Sequence, residues 1–306
     1  MAAVNRFMES YSGVYSDGTY SELQRRYPKI ARQFILLHEK RKVGTSDPHK
    51  FTPEDIKEYI IFQRKRGLKD KSVFHDLGSI KNLCMFLNGN NCVDVARAKY
   101  PTLFQHHRHI RLPVTERPEY DRVIAYSHTL SAASPYLLVR ACALCVLAYC
   151  SGLRTQELQH AKVRHLDTSD FSTIYLDHVK GMSTYGTART VPIHPDAAYI
   201  LGVYLSVRDS QSSFLFPGKG NGPLVTNTLS KDRTKIIEQC GVEFDFRKTR
   251  RTYAQFLIDE GASVDDVAII LGHSSSKTTE MNYARPRDDR VVAKIIGTWR
   301  NEKKEK

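Results

Sequence analysis

Apolar positions recur at helical spacing along most of the chain and alternate as strands in one place only. From Ser21 to about Leu87 the pattern predicts three helices. Ile30, Phe34 and Leu37 mark the first. The second opens at Thr52-Pro53-Glu54-Asp55, where Thr caps, Pro takes the first helical position and Asp sits three residues on. It carries Ile56, Tyr59, Ile60 and Gln63 and ends near Gly67. The third runs from about Lys71, with Val73, Leu77, Ile80, Leu83, Cys84 and Leu87 on one face, and stops at Asn88-Gly89. Residues 1–20 are polar, with Ser, Tyr and Gly interspersed, and read as a loosely ordered start. Periodicity fails between Tyr100 and Pro118, and the basic stretch 105–117 reads as an interdomain linker.

Beyond Pro118 the pattern resumes. Arg122 to Leu130 and Pro135 to Cys150 read as helices, the latter so apolar that it must be buried, and Ser151-Gly152 ends it. Thr173 to Val179 and Thr190 to Ile193 read as strands joined by the glycine-containing loop KGMSTYGTAR. Helices follow at Pro195 to Val207 and Thr226 to Cys240. After Arg250 come an amphipathic helix, a Gly261-Ala262 turn and a short helix reaching Leu271-Gly272-His273. The segment Asp288 to Trp299 places Val291, Val292, Ile295, Ile296 and Trp299 on one face, to dock on a neighbouring subunit or on its own domain. The predicted fold class is mainly α with a small antiparallel β-sheet (α+β). A helical domain over 21–104 and a second domain over 118–306 flank the linker.

Charge sharpens this picture. The 306 residues carry a net charge of +13 and a pI near 9.4, a balance that favours a polyanionic partner and hence nucleic acid. A basic helical scaffold with no DNA role would share that composition. Met1 to Glu9 has no apolar core of a secretion signal, and the longest apolar run, Ala141 to Tyr149, falls short of the roughly 20 residues of a membrane span. The six cysteines lack zinc-ligand spacing, and Cys142 and Cys145 sit inside an apolar helix, where a free thiol packs as a small hydrophobe. His106, His107 and His109 point to opposite sides of an extended chain, which suits a basic linker lying along phosphates better than a metal site. The expectation is a cytoplasmic protein with no metal, no cofactor and no membrane partner.

Two segments carry the chemistry: CSGLRTQELQHAKVRHLD, and FDFRKTRRTYAQFLIDEGASVDDVAIILGHSSSKTTEMNY. Together they resemble the signature of the tyrosine recombinases, the phage integrase family. The resemblance implies that Arg154, just after a glycine-ended buried helix, and Arg250 are the two catalytic arginines. A guanidinium grips two phosphate oxygens in a fork that lysine cannot match. Arg250 is chosen over Arg251 because it keeps the family's intervals to Gly261, Gly272 and His273. His273 would add a hydrogen bond to the phosphate. Tyr283, after Thr278-Thr279, would be the nucleophile, a phenol that needs neighbouring positive charge to attack. Lys180 opens a hairpin loop ending in Arg189-Thr190-Val191-Pro192 and would protonate the leaving oxygen.

Two departures stand out. Where the family usually places a histidine three residues before the second arginine, this chain has Arg247, which cannot accept a proton and so would act only electrostatically. Tyr283 lies one residue further from His273 than in most bacterial members, as in the archaeal integrase and Xer-like branch. The resemblance implies a helical core-binding (SAM-like) domain and a catalytic domain. It further implies cleavage of double-stranded DNA through a 3′-phosphotyrosine without metal or ATP, by a homo-tetramer on two DNA sites. A type IB topoisomerase-like relaxing enzyme and a catalytically idle DNA-binding relative are the alternatives.

Overall fold

Helices form where the apolar pattern coincides with start and stop signals. The computed structural model describes residues 2–12, 14, 17–105, 112–179 and 186–273, and the chain divides into two units, Met1–His109 and Ile110–Lys306. The first unit contains α1 (Ala2–Ser10), α2 (Asp17–Glu39), α3 (Pro53–Lys65), α4 (Asp70–Asn88) and α5 (Cys92–Lys99). In the Thr52 and Asp55 capping box each side chain accepts from the other residue's backbone N–H, which starts α3. Gly89 ends α4 at φ 69°. Phe34 stacks on Phe51 at 4.1 Å and on Tyr59 at 4.8 Å between ring centroids. Burying each such ring is worth ~1.5–3 kcal/mol. The polar tip of this stack, Tyr59 Oη, donates to Asp76 Oδ2 at 3.0 Å.

Where the sequence reads as loosely ordered, residues 2–10 instead form a helix. Val4, Phe7 and Met8 make a buried stripe against Tyr27 and Leu83. Three apolar residues at helical spacing suffice once a partner face exists, but they are too few to stand out among polar neighbours. Helix α5 was hidden for the same reason: only Cys92, Val93 and Ala96 are buried along it.

The second unit is built round α7 (Tyr136–Ser151), in which every residue from Val139 to Ser151 is buried. Around it pack α6 (Arg117–His128), α9 (Ala198–Val207), α10 (Thr226–Cys240) and α11 (Phe246–Asp259). Helix α6 starts at Arg117 rather than Arg122, because the Glu119 carboxylate accepts from the Glu116 N–H and Pro118 fits its first turn. Arg140 offsets the polarity it brings into the core by donating from Nε and Nη2 to Asp232 of α10, each at 3.0 Å. A short α8 (Thr155–His160) leads to an antiparallel pair, β1 (Thr173–Leu176) and β2 (Arg189–Pro192), with Thr173 opposite Pro192 and Leu176 opposite Arg189. The Asp245 carboxylate accepts from the Arg247 and Lys248 N–H groups and starts α11 at Phe246, so Arg250 lies inside the helix rather than before it. Helix α12 (Val264–Leu271) runs from the Ser263–Asp266 capping box to Gly272. Among the described residues no helix is long and apolar enough to cross a membrane.

Candidate active site

The last turn of α12 leaves carbonyls that the helix itself cannot satisfy. The His273 N–H donates to Ala268 O and the Gly272 N–H to Ile269 O, each at 2.9 Å. The next three carbonyls are taken by three arginines from three other elements. Arg189 Nε donates to Ile270 O at 2.7 Å, Arg250 Nη2 to Leu271 O at 2.6 Å, and Arg154 Nη2 to Gly272 O at 2.8 Å. Cationic side chains suit the negative end of a helix dipole, so charge and hydrogen bonding act together here.

Two glycines make the close approach possible. Gly272 has φ 63°, and a Cβ built on it would stand 2.8 Å from Arg189 Nη1 and 2.9 Å from Cζ. Gly152, which ends α7 at φ 62°, would put a Cβ 2.5 Å from the Tyr253 ring. Both positions need the left-handed backbone and the missing side chain. Gly152 O also accepts from Arg250 Nη1 at 2.8 Å, which ties α11 to the end of the buried helix.

Glu157 is the counter-ion of the cluster. Its side chain is fully buried. Its carboxylate accepts from the Arg154 N–H and from Arg154 Nη1, each at 2.8 Å, and from Arg189 Nη2 at 3.0 Å, with Arg250 Nη1 at 3.9 Å. Burial opposes its ionisation, but the Arg189 and Arg154 guanidiniums outweigh that and hold the carboxyl below its ordinary range. Burial, and then the Arg250, Arg154 and Arg189 charges, push the His273 imidazole down to about 3. The ring is therefore neutral near pH 7. Arg250 Nη2 lies 3.2 Å from His273 Nε2, and arginine only donates, so Nε2 is assigned as acceptor and Nδ1 as the protonated nitrogen.

The structure thus brings together Arg154, Arg250 and His273. Arg251 faces elsewhere, donating from Nε to Pro113 O at 3.0 Å. Arg247 is exposed in the first turn of α11, and among the described residues no recorded hydrogen bond or ion pair joins its side chain to the cluster. Lys180 and Tyr283 lie outside the described residues. Sequence reasoning missed Glu157 as the shared anion and gave Arg189 no task. The signal for both was present, since an acid three residues after Arg154 and an arginine opening β2 sit beside positions already singled out.

The phage integrase family model matches residues 114–290, more than half of the chain, and the chain belongs to that family. A tyrosine recombinase XerC of Mesorhizobium japonicum is 25% identical over 83% of this chain and 82% of its own. A tyrosine recombinase XerA of Thermococcus kodakarensis is 29% identical over 44% of this chain and 48% of its own. A Tn1549 transposon integrase solved in complex with a circular intermediate DNA shares the fold, with a TM-score of 0.70 at 15% identity, over 97% of this chain and 98% of that one. Site-specific recombination, rather than supercoil relaxation, is the activity these likenesses support.

Proposed function

We propose that the chain cleaves and rejoins double-stranded DNA, with Tyr283 as nucleophile. The Tyr283 phenolic oxygen attacks a backbone phosphorus, the P–O5′ bond breaks, and a 3′-phosphotyrosyl link and a free 5′-OH result. The 5′-OH of a partner strand then reverses the exchange, so the ester is conserved and no nucleotide hydrolysis is needed. Arg154 and Arg250 neutralise the non-bridging oxygens as charge builds in the transition state. Removing one such donor costs on the order of 10²–10³ in rate. His273, neutral at working pH, contributes a hydrogen bond rather than a charge. Lys180 gives a proton to the departing 5′ oxygen, and exposed Arg247 contributes electrostatically at most. Exchange between two duplexes calls for a homo-tetramer, and the archaeal-type spacing before Tyr283 is part of the same reading.

One observation carries this proposal: Arg154, Arg250 and His273, from three separated stretches of chain, meet at one helix end. The test is a covalent-trap assay on the tightest-binding duplex recovered from a randomised pool, labelled and nicked in the cleaved strand just 3′ of the scissile phosphate, so that the short 5′-OH fragment dissociates. An adduct that survives denaturing gels, forms in EDTA and is lost in Tyr283→Phe is expected. Tight binding with no adduct at any nick position would make the chain an idle DNA-binding relative.

A further inference from the structure

Arg189 stands at the base of the hairpin, 10% exposed, and its guanidinium is engaged through Nε and Nη2. Nε holds Ile270 O at 2.7 Å and Nη2 holds Glu157 Oε1 at 3.0 Å. Its plane lies so close to Gly272 that a Cβ there would stand 2.8 Å from Nη1 and push the guanidinium aside. Its backbone is set in turn by the strand pair, opposite Leu176. One side chain therefore links the second hairpin strand, the carboxylate that orients Arg154, and the helix end that sets His273. Only a planar, multi-donor group can hold a carbonyl and a carboxylate at once, because a lysine ammonium has no fixed fork.

We propose that Arg189 is a positioning residue for phosphoryl transfer: it locks strand β2 to the Glu157–Arg154 pair and to the end of α12, and so fixes how Arg154 and His273 stand relative to each other and to Arg250. This rests on the recombinase reading above. Without Arg189, Ile270 O loses its donor, Glu157 loses one of its three cations, and the hairpin loses its side-chain tether to α12. A displacement of about 1 Å in a reacting constellation costs on the order of 10² in rate.

The experiment measures single-turnover adduct formation on the same nicked, pool-selected duplex, with the full-length protein, Arg189→Gln and Arg189→Lys. Duplex affinity, thermal midpoint and the His273 ring resonance are followed in parallel. For Arg189→Gln an adduct rate about 30- to 100-fold below the parent is expected, with duplex affinity within about threefold. The His273 imidazole should titrate at a higher pH, because one of the cations facing it is gone; Arg250, Arg154 and Glu157 remain. Arg189→Lys keeps the charge and loses the fork, so the His273 titration should stay near the parent's while the adduct rate falls about tenfold. That variant decides the matter if the Gln form is unstable. A parental rate in Arg189→Lys, or in a folded Arg189→Gln, overturns the inference. If the parent itself forms no adduct, it is the recombinase reading that fails.

Discussion

Replacing Glu157 with glutamine removes one negative charge and changes no volume, which makes Glu157→Gln the sharpest probe of the cluster. The carboxylate is fully buried and faces guanidinium nitrogens of Arg154, Arg189 and Arg250 at 2.8, 3.0 and 3.9 Å. At an effective dielectric near 20 each attraction is worth about 4–6 kcal/mol before desolvation. Most of that is cancelled by the cost of taking four charges out of water, which is why a buried pair is a poor source of net stability. Breaking one is another matter. The glutamine amide would present N–H donors to guanidinium N–H donors and leave three cations without their anion, and such losses run at about 3–5 kcal/mol. Peptide-resolved hydrogen exchange on the full chain is the assay of choice, since the first unit serves as an internal reference. Exchange in α11 and α12 should quicken by about 10²–10³, at 1.4 kcal/mol per tenfold, while α3 and α4 stay unchanged. The pH dependence has a definite sign. A carboxyl held below its ordinary 4.5 contributes stability that is present above that value and is lost as pH falls through the folded one. The variant should lack that acid-sensitive component. Unaltered exchange in α11 and α12 would refute the view of Glu157 as the counter-ion that holds the site together.

Other outcomes follow from the same geometry. Gly272→Ala should destabilise the second unit by about 1–2 kcal/mol and slow adduct formation, because it strains φ 63° and pushes on Arg189, as thermal unfolding and the covalent trap would show. The His273 ring, identified by the signal lost in His273→Gln, should not titrate between pH 5 and 8 in an NMR titration. A midpoint near 6.5 would contradict its burial among three guanidiniums. Arg140→Met should lower unfolding free energy by about 3–5 kcal/mol in urea titration, because it leaves buried Asp232, between α7 and α10, with only the more distant Lys235 at 3.7 Å.

How much of this was legible in advance differs by element. Helices with a clear cap, such as α3 behind Thr52-Pro53, or with a solid apolar run, such as α7, are specified by local chemistry and were read correctly. The start of α11 was misplaced because Asp245 caps it through a side-chain bond that no periodicity reports. The first strand proved shorter than its apolar run, since Asp177 turns aside to pair with Lys162 and only Thr173–Leu176 finds partners, while the second lies one residue earlier than expected, at Arg189–Pro192. For the site, spacing favoured Arg250 over Arg251, and helix geometry sends the two to different sides, one toward Gly152 and one toward Pro113. The charge balance was not legible. That Glu157 is shared by three arginines depends on contacts across 32 residues to Arg189 and 93 to Arg250, a distance over which a sequence gives no hint of sign or order.

Helix α7, buried on all sides, has a consequence for when this protein becomes dangerous to DNA. Arg250 can reach Gly152 O only after α7 has been enclosed, and Arg154 leaves the same glycine corner. A nascent or partly unfolded chain therefore holds basic surface without an assembled cutting centre. The arginine cluster is thus assembled only together with the end of the core helix, so loss of the fold dismantles that arrangement while the net charge of +13 stays as it is.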